Sequence, residues 1–199
     1  MLEFLGNYAR DTNHGILEVP SMAGGTGTVV WFTGLSGAGK STLARAVAQS
    51  LGLQGCRVET IDGDDLRQNL SVGLGFSRAD RAENARRAAC LAQALARHSD
   101  YILVALITPY REDRKAVARM LPSYFEVYVN APLAVCETRD PKGLYRRARS
   151  GRLSHFTGVD DPYEPPQSPA LELRTDQDSI EKCTERVVRA LTGGCATRG

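Results

Sequence analysis

Residues 34 to 41 read GLSGAGKS and fit the pattern GxxxxGK[ST], in which each residue type has a task toward a polyphosphate. Gly34, Gly37 and Gly39 let backbone N–H groups turn inward around phosphate oxygens, with Leu35, Ser36 and Ala38 completing the loop. Lys40 is placed to reach the β- and γ-phosphates of a nucleotide, and Ser41 to ligate Mg²⁺ through its hydroxyl. Thr42 is a second helix residue within reach of the α-phosphate. A glycine-rich turn with a chance lysine is the plainer alternative. The apolar run before the loop and the helical pattern after it favour the phosphate-binding reading. Kinases, motors, GTP switches and transporters share such loops, so this one leaves the destination of the phosphoryl group open.

Farther along, TIDGDDLRQNL sets Asp62, Asp64 and Asp65 just past a second apolar run. Phosphoryl transfer needs one carboxylate for the metal's water shell and another to accept the proton of the attacking hydroxyl. Asp62 and Asp64 can fill both roles, with Asp64 preferred as base, and the two roles are interchangeable on sequence alone. An Asx turn capping the next helix competes with this reading, most simply at Asp65. LGFSRADRAENARR offers Phe76, Arg81 and Asn84, with Arg86 and Arg87 behind them; taken singly, such arginines are also what a solvated helix face carries. The Thr108-Pro109 corner is expected to point a hydroxyl at the same cleft. Between Lys142 and Arg152 the chain holds five basic residues and no acid. Helical spacing brings Arg146 and Arg149, and on a longer helix Arg152, near one face, as a lid over phosphates would need. The proline-rich SHFTGVDDPYEPPQSP that follows suits a shaped mobile loop.

An alternation of short apolar runs and helical patterns must position these groups. Expected strands are 28–34, 57–62, 101–107, 125–130 and 171–174, most of them buried on both faces. Expected helices are 40–51, about 78–98 with Ser77 as cap, 111 to the break at Pro122, and one carrying Ile180, Cys183, Val187 and Leu191 on a single stripe. This pattern predicts an α/β chain with a site at the carboxyl ends of the strands; with the phosphate loop it is expected to be a three-layer P-loop nucleoside triphosphate hydrolase/kinase fold with a five-stranded parallel sheet and a mobile lid. With 199 residues, one domain over 28–192 is expected, preceded by a flexible extension or linker over 1–27 and followed by a tail over 193–199. Formal net charge is +2, from 25 basic and 23 acidic residues, and argues for neither a nucleic-acid nor a membrane partner. Five cysteines without metal spacing read as reduced thiols. No apolar run approaches the roughly 18 residues of a membrane helix, so a soluble cytoplasmic protein is expected.

Taken in order, WFTGLSGAGKST, DGD with Arg67, LGFS, DRAEN, PYREDR, VYVNAPLAVCETRDPKGLY and FTGVDDPYE resemble the adenylylsulfate kinase (APS kinase) family over about Val29 to Leu191. The resemblance implies transfer of the ATP γ-phosphoryl group to the 3′-hydroxyl of adenosine 5′-phosphosulfate (APS), giving 3′-phosphoadenosine 5′-phosphosulfate. It implies that Arg67, Phe76, Arg81, Asn84, Ile107, Lys142 and Phe156 hold APS together with Asp64 and Thr108, and that Arg149 touches ATP. It also implies a homodimer. An arginine pair suits phosphosulfate oxygens, and Phe76 with Phe156 suits a stacked adenine.

Departures from the family pattern are Asp65 where the family commonly has asparagine, and Thr108 where a serine treated as a phosphorylated intermediate is usual. Direct in-line transfer needs no covalent step, so Thr108 is read as a positioning residue. Residues 1–27 do not resemble the lead-in of the stand-alone enzyme, which raises a fusion with ATP sulfurylase. The rival readings are a regulatory nucleotide-binding domain attached to ATP sulfurylase and another small-molecule P-loop kinase. The intact Lys40, Ser41, Asp62 and Asp64 argue against the first, and Phe76, Arg81, Asn84 and DPKGLY against the second.

Overall fold

A computed structural model describes residues 26–193, so the expectations for 1–25, for most of the tail and for Cys195 lie outside the described residues. Five strands form one parallel sheet in the order β2-β3-β1-β4-β5. They are β1 (Thr28–Thr33), β2 (Val58–Asp62), β3 (Tyr101–Ala105), β4 (Tyr124–Asn130) and β5 (Leu171–Arg174). Successive side chains of a strand point to opposite faces, and β1 uses both. Val30 and Phe32 enter one apolar cluster with Leu43, Val47, Leu51 and Val187, while Val29 and Trp31 enter another with Ala85, Ala88, Ala92 and Val117. Each large side chain buried this way contributes about 1.5–3 kcal/mol, and the two clusters make the three layers. Burial on both faces holds for β1 and β3; the edge strands β2 and β5 are only half-buried, and so is β4 although it is paired on both sides.

The helices are α1 (Lys40–Leu53), α2 (Gly63–Asn69), α3 (Arg78–Leu95), α4 (Arg111–Met120), α5 (Leu133–Arg139), α6 (Leu144–Arg149) and α7 (Ile180–Thr192). α1 and α7 line the first cluster, and α3 and α4 the second. Ser77 caps α3 as expected, accepting from the Asp80 N–H at 3.2 Å while its own hydroxyl donates to the Asp80 carboxylate at 2.7 Å. Other boundaries move inward: α3 stops at Leu95 rather than near His98, and α4 stops at Met120, where Leu121 turns extended before Pro122. α6 ends at Arg149, so Arg152 lies outside the basic helix. α2 and α5 have seven residues each, too short for a periodic signal.

Neighbouring strands β1 and β3 lead into helices on opposite faces, α1 on one and α4 on the other. In an open α/β sheet that divergence opens a crevice at the carboxyl ends of the strands. Among the described residues, no helix is long and apolar enough to cross a membrane.

Candidate active site

A cleft of about 800 Å³ opens at that switch point, toward the upper end of the roughly 300–1,000 Å³ usual for ligand pockets. The loop after β1 forms its floor. Gly34 adopts φ 150°, and a Cβ there would come within 2.3 Å of the Val129 carbonyl oxygen, so the loop leaves the sheet against the β4 backbone where only glycine fits. Gly39, left-handed at φ 99°, precedes α1, whose first residues Lys40, Ser41 and Thr42 line the cleft with it. Lys40 is buried and folds back, its ammonium donating to the Gly34 and Leu35 carbonyls at 3.0 and 2.8 Å. Burial lowers its pKa from 10.5 to about 8, against the opposing pull of nearby Cys136 and Asp62. An anion above the loop would offer this ammonium the charge partner it lacks.

Three outer groups brace the loop, and sequence reading had assigned none of them a role. Arg139 donates to the Gly37 carbonyl at 3.2 Å and to the Thr175 carbonyl at 2.6 Å, the Thr175 hydroxyl donates to the Ala38 carbonyl at 2.8 Å, and the Tyr145 hydroxyl donates to the Ser36 carbonyl at 3.0 Å. Arg139 and Tyr145 stand inside VYVNAPLAVCETRDPKGLY, but nothing in their spacing separates a brace from a surface residue. Beyond Arg139 the cleft continues past Thr175, Asp178, Ile180 and Cys183 at the start of α7, also unanticipated.

Facing the loop, β2 ends on Asp62 and the first turn of α2 carries Asp64. Asp62 is the residue that caps α2, its carboxylate accepting from the Asp64 N–H at 2.9 Å, so the Asx turn expected at Asp65 belongs to Asp62. Asp65 is exposed and outside the cleft lining. Asp64 forms an ion pair with Lys142 across the cleft, both side chains about half exposed. Pairs so exposed contribute about 0–1 kcal/mol, so a ligand that claims Lys142 frees Asp64 at little cost. Ser41 and Asp62 line the same cleft and present hard oxygen donors, which fit Mg²⁺ held partly by substrate phosphates.

At the far end, Arg67, Phe76, Arg81, Asn84, Ile107, Thr108, Lys142 and Phe156 all line the cleft. Phe76 lies between two guanidinium groups, with Arg67 at 4.5 Å and Arg81 at 5.5 Å from its ring centroid, and Phe156 packs edge-on to Tyr145 at 4.9 Å. Both phenyl rings line the cleft, each with another side chain packed against it. Arg67 donates to the Gly75 carbonyl at 2.9 Å; Arg81 donates to those of Phe76 and His155 at 2.9 and 2.6 Å. Burial lowers both arginine pKa values without discharging either group. Asn84 is buried, and its Oδ1 has no hydrogen-bond partner.

Two expected site residues are held by other side chains. Thr108 lines the cleft, and its hydroxyl accepts the Trp31 indole N–H at 3.0 Å, which leaves its own proton to donate, while its carbonyl accepts from Arg114. Neither partner is a base that could activate it as a nucleophile. Arg149 donates to Glu137 with its Nε at 3.2 Å and is not part of the cleft lining. In the proline-rich segment, expected to be a shaped mobile loop, hydrogen bonds give the shape: Asp160 accepts from the His155 and Phe156 N–H groups, Tyr110 donates to Asp161, and Glu164 accepts from the Arg111 N–H.

A phosphate-cradling loop sharing one cleft with a carboxylate pair and a basic, aromatic pocket is the working arrangement of a P-loop kinase. The family model for adenylylsulphate kinase matches residues 26–174, and the chain belongs to the adenylylsulfate kinase family. An adenylyl-sulfate kinase of Synechococcus sp. (strain JA-2-3B'a(2-13)) is 54% identical over 165 residues, covering 83% of this chain and 94% of that one. The Mycobacterium tuberculosis APS kinase solved in complex with AMPPNP and APS superimposes with TM-score 0.81 at 43% identity, covering 84% of this chain and 99% of that one. A hexameric APS kinase from Thiobacillus denitrificans matches with TM-score 0.64 and 32% identity over 87% of this chain and 30% of its own.

Proposed function

We propose that residues 28–192 form a kinase domain that transfers the γ-phosphoryl group of ATP to the 3′-hydroxyl of APS. The observation that carries this reading is the single cleft joining Lys40 and Ser41 to Asp62, Asp64, Arg67, Arg81, Asn84 and Lys142. The donor triphosphate lies on residues 34–42, where Lys40 exchanges its two carbonyl partners for phosphate oxygens. Ser41 directly, and Asp62 through water, would hold Mg²⁺, which when bound neutralises phosphate charge. APS occupies the arginine-rich end; its charge draws Lys142 away from Asp64, and the freed carboxylate accepts the 3′-hydroxyl proton. Thr108 positions the acceptor and is not itself phosphorylated. Arg149, held at Glu137, would have to leave that partner to meet ATP. A cytoplasmic homodimer completes the proposal.

Incubation with ATP, Mg²⁺ and a panel of hydroxyl acceptors, followed by product identification, tests it. Phosphorylation of APS at the 3′ position is the expected result; transfer to another acceptor with none to APS would overturn it.

Two narrower outcomes follow from the site. The free protein loses the Lys40 proton as pH rises through about 8, whereas bound phosphates hold that proton on. Binding of MgATP therefore takes up close to one proton at pH 9 and almost none at pH 7, and affinity falls by up to about tenfold per pH unit above 8. Calorimetry in buffers of different ionisation enthalpy measures the uptake; equal uptake at both pH values contradicts the assignment. Secondly, Asn84→Ala removes a buried oxygen whose burial without a partner costs about 1–3 kcal/mol. The melting temperature should hold or rise while the KM for APS increases about tenfold. A loss of stability with unchanged KM would show that Asn84 serves the fold.

A further inference from the structure

Beneath the acceptor end of the cleft lies a buried cluster that the reaction so far does not use. The Arg114 side chain on α4 is 4% exposed, and its guanidinium reaches three separate elements. Nη1 donates to the Thr108 carbonyl at 2.7 Å, Nη2 donates to the Glu164 carbonyl at 2.6 Å, and Nε lies 3.1 Å from the Glu126 carboxylate on β4. The Tyr124 hydroxyl donates to the same Glu126 oxygen at 3.3 Å. From the other side Trp31, on β1, donates its indole N–H to the Thr108 hydroxyl at 3.0 Å.

Thr108 thus receives one donor on its side chain and one on its carbonyl. Between them its backbone sits at φ 40°, in the left-handed region. A β-branched residue avoids that region, and the ring of the following Pro109 restricts it further. Conformations of this kind persist where surrounding contacts over-determine them, and they cluster at functional sites. A lysine could match the charge of Arg114, but one ammonium cannot span three acceptors lying in the directions of a planar fork.

We propose that Arg114 is a positioning residue for the acceptor. With Trp31 it clamps Thr108 in its strained conformation, fixing the wall formed by Ile107, Thr108 and Pro109. Through Glu164 it ties that wall to the segment carrying Phe156. The wall and Phe156 border the acceptor end of the cleft, while the phosphate loop borders the other, so loosening the clamp should disturb one substrate and spare its partner. This rests on the assignment of the two ends given under Proposed function.

Steady-state kinetics with ATP and APS varied separately test the clamp. Arg114→Lys keeps the charge opposite Glu126, and the double variant Arg114→Met/Glu126→Gln removes both charges together, so that neither leaves an unpaired buried ion. Both are expected to fold, to raise the KM for APS about tenfold, to lower kcat by a similar factor, and to leave the KM for ATP within about twofold. Trp31→Phe removes the indole donor together with part of the buried ring, and should act in the same direction. Combined with Arg114→Lys it should cost less than the product of the two single effects, because both act on Thr108.

Equal rises in both KM values, unchanged kinetics beside a lowered melting temperature, or effects that multiply independently would each overturn the clamp. If the wild type phosphorylates some other acceptor, the functional reading falls instead, and the same split is then measured with that acceptor.

Discussion

Lys40→Ala should lower the rate of phosphoryl transfer by a factor of about 10³ or more while the protein stays folded. Positioned cations at a transferring phosphoryl group are worth factors of this size because they act where charge develops, in a site shielded from water. Stability should change little for a specific reason. The ammonium is buried without a carboxylate among its hydrogen-bond partners, and burial already penalises its charged form. Removing it relieves that penalty and forfeits two hydrogen bonds to loop carbonyls, each worth about 0.5–1.5 kcal/mol. Initial rates with saturating ATP and APS, beside a thermal melt, measure both quantities. Turnover within tenfold of the wild type would sink the assignment of the loop as the donor site.

The second large effect separates the two aspartates that sequence left interchangeable. Asp64 has its carboxylate on Lys142, in the open cleft, whereas the Asp62 carboxylate is engaged as the cap of α2. Asp64→Asn should therefore reduce kcat by about 10²–10⁴, the usual contribution of a general base, with little change in melting temperature. Asp62→Asn keeps a side-chain oxygen that can cap the helix; its loss should appear mainly as a higher Mg²⁺ requirement. Asp62→Ala should cost a further ~1 kcal/mol of stability through the missing cap. Should raised Mg²⁺ rescue Asp64→Asn and not Asp62→Asn, the two roles are reversed.

What the sequence made legible is local. The phosphate loop, its strand and its helix occupy consecutive residues, and the periodic runs of β1, β3, α1 and α7 carry their burial in their spacing. The acceptor-side residues were found through family resemblance, and the cleft brings all of them together. The misses share a physical cause: each depends on contacts between distant parts of the chain. The Thr108 hydroxyl was expected in the cleft, but its orientation is decided by Trp31, 77 residues away. Arg139 braces the loop 102 residues before it, at Gly37, and Arg114 looks in sequence like any cation on an amphipathic helix. Arg149 shared a basic run with Lys142, yet the nearby Glu137 captures it and Asp64 captures Lys142. In such cases composition predicts a charge without predicting its partner.

Trp31 carries one more consequence. It is the chain's sole tryptophan, completely buried, with its indole N–H committed to Thr108 at the wall of the cleft. Emission excited at the red edge of the protein's absorption therefore originates from a single ring beneath the cleft. An optical titration of this protein reads one hydrogen bond at that wall, undiluted by tryptophans elsewhere.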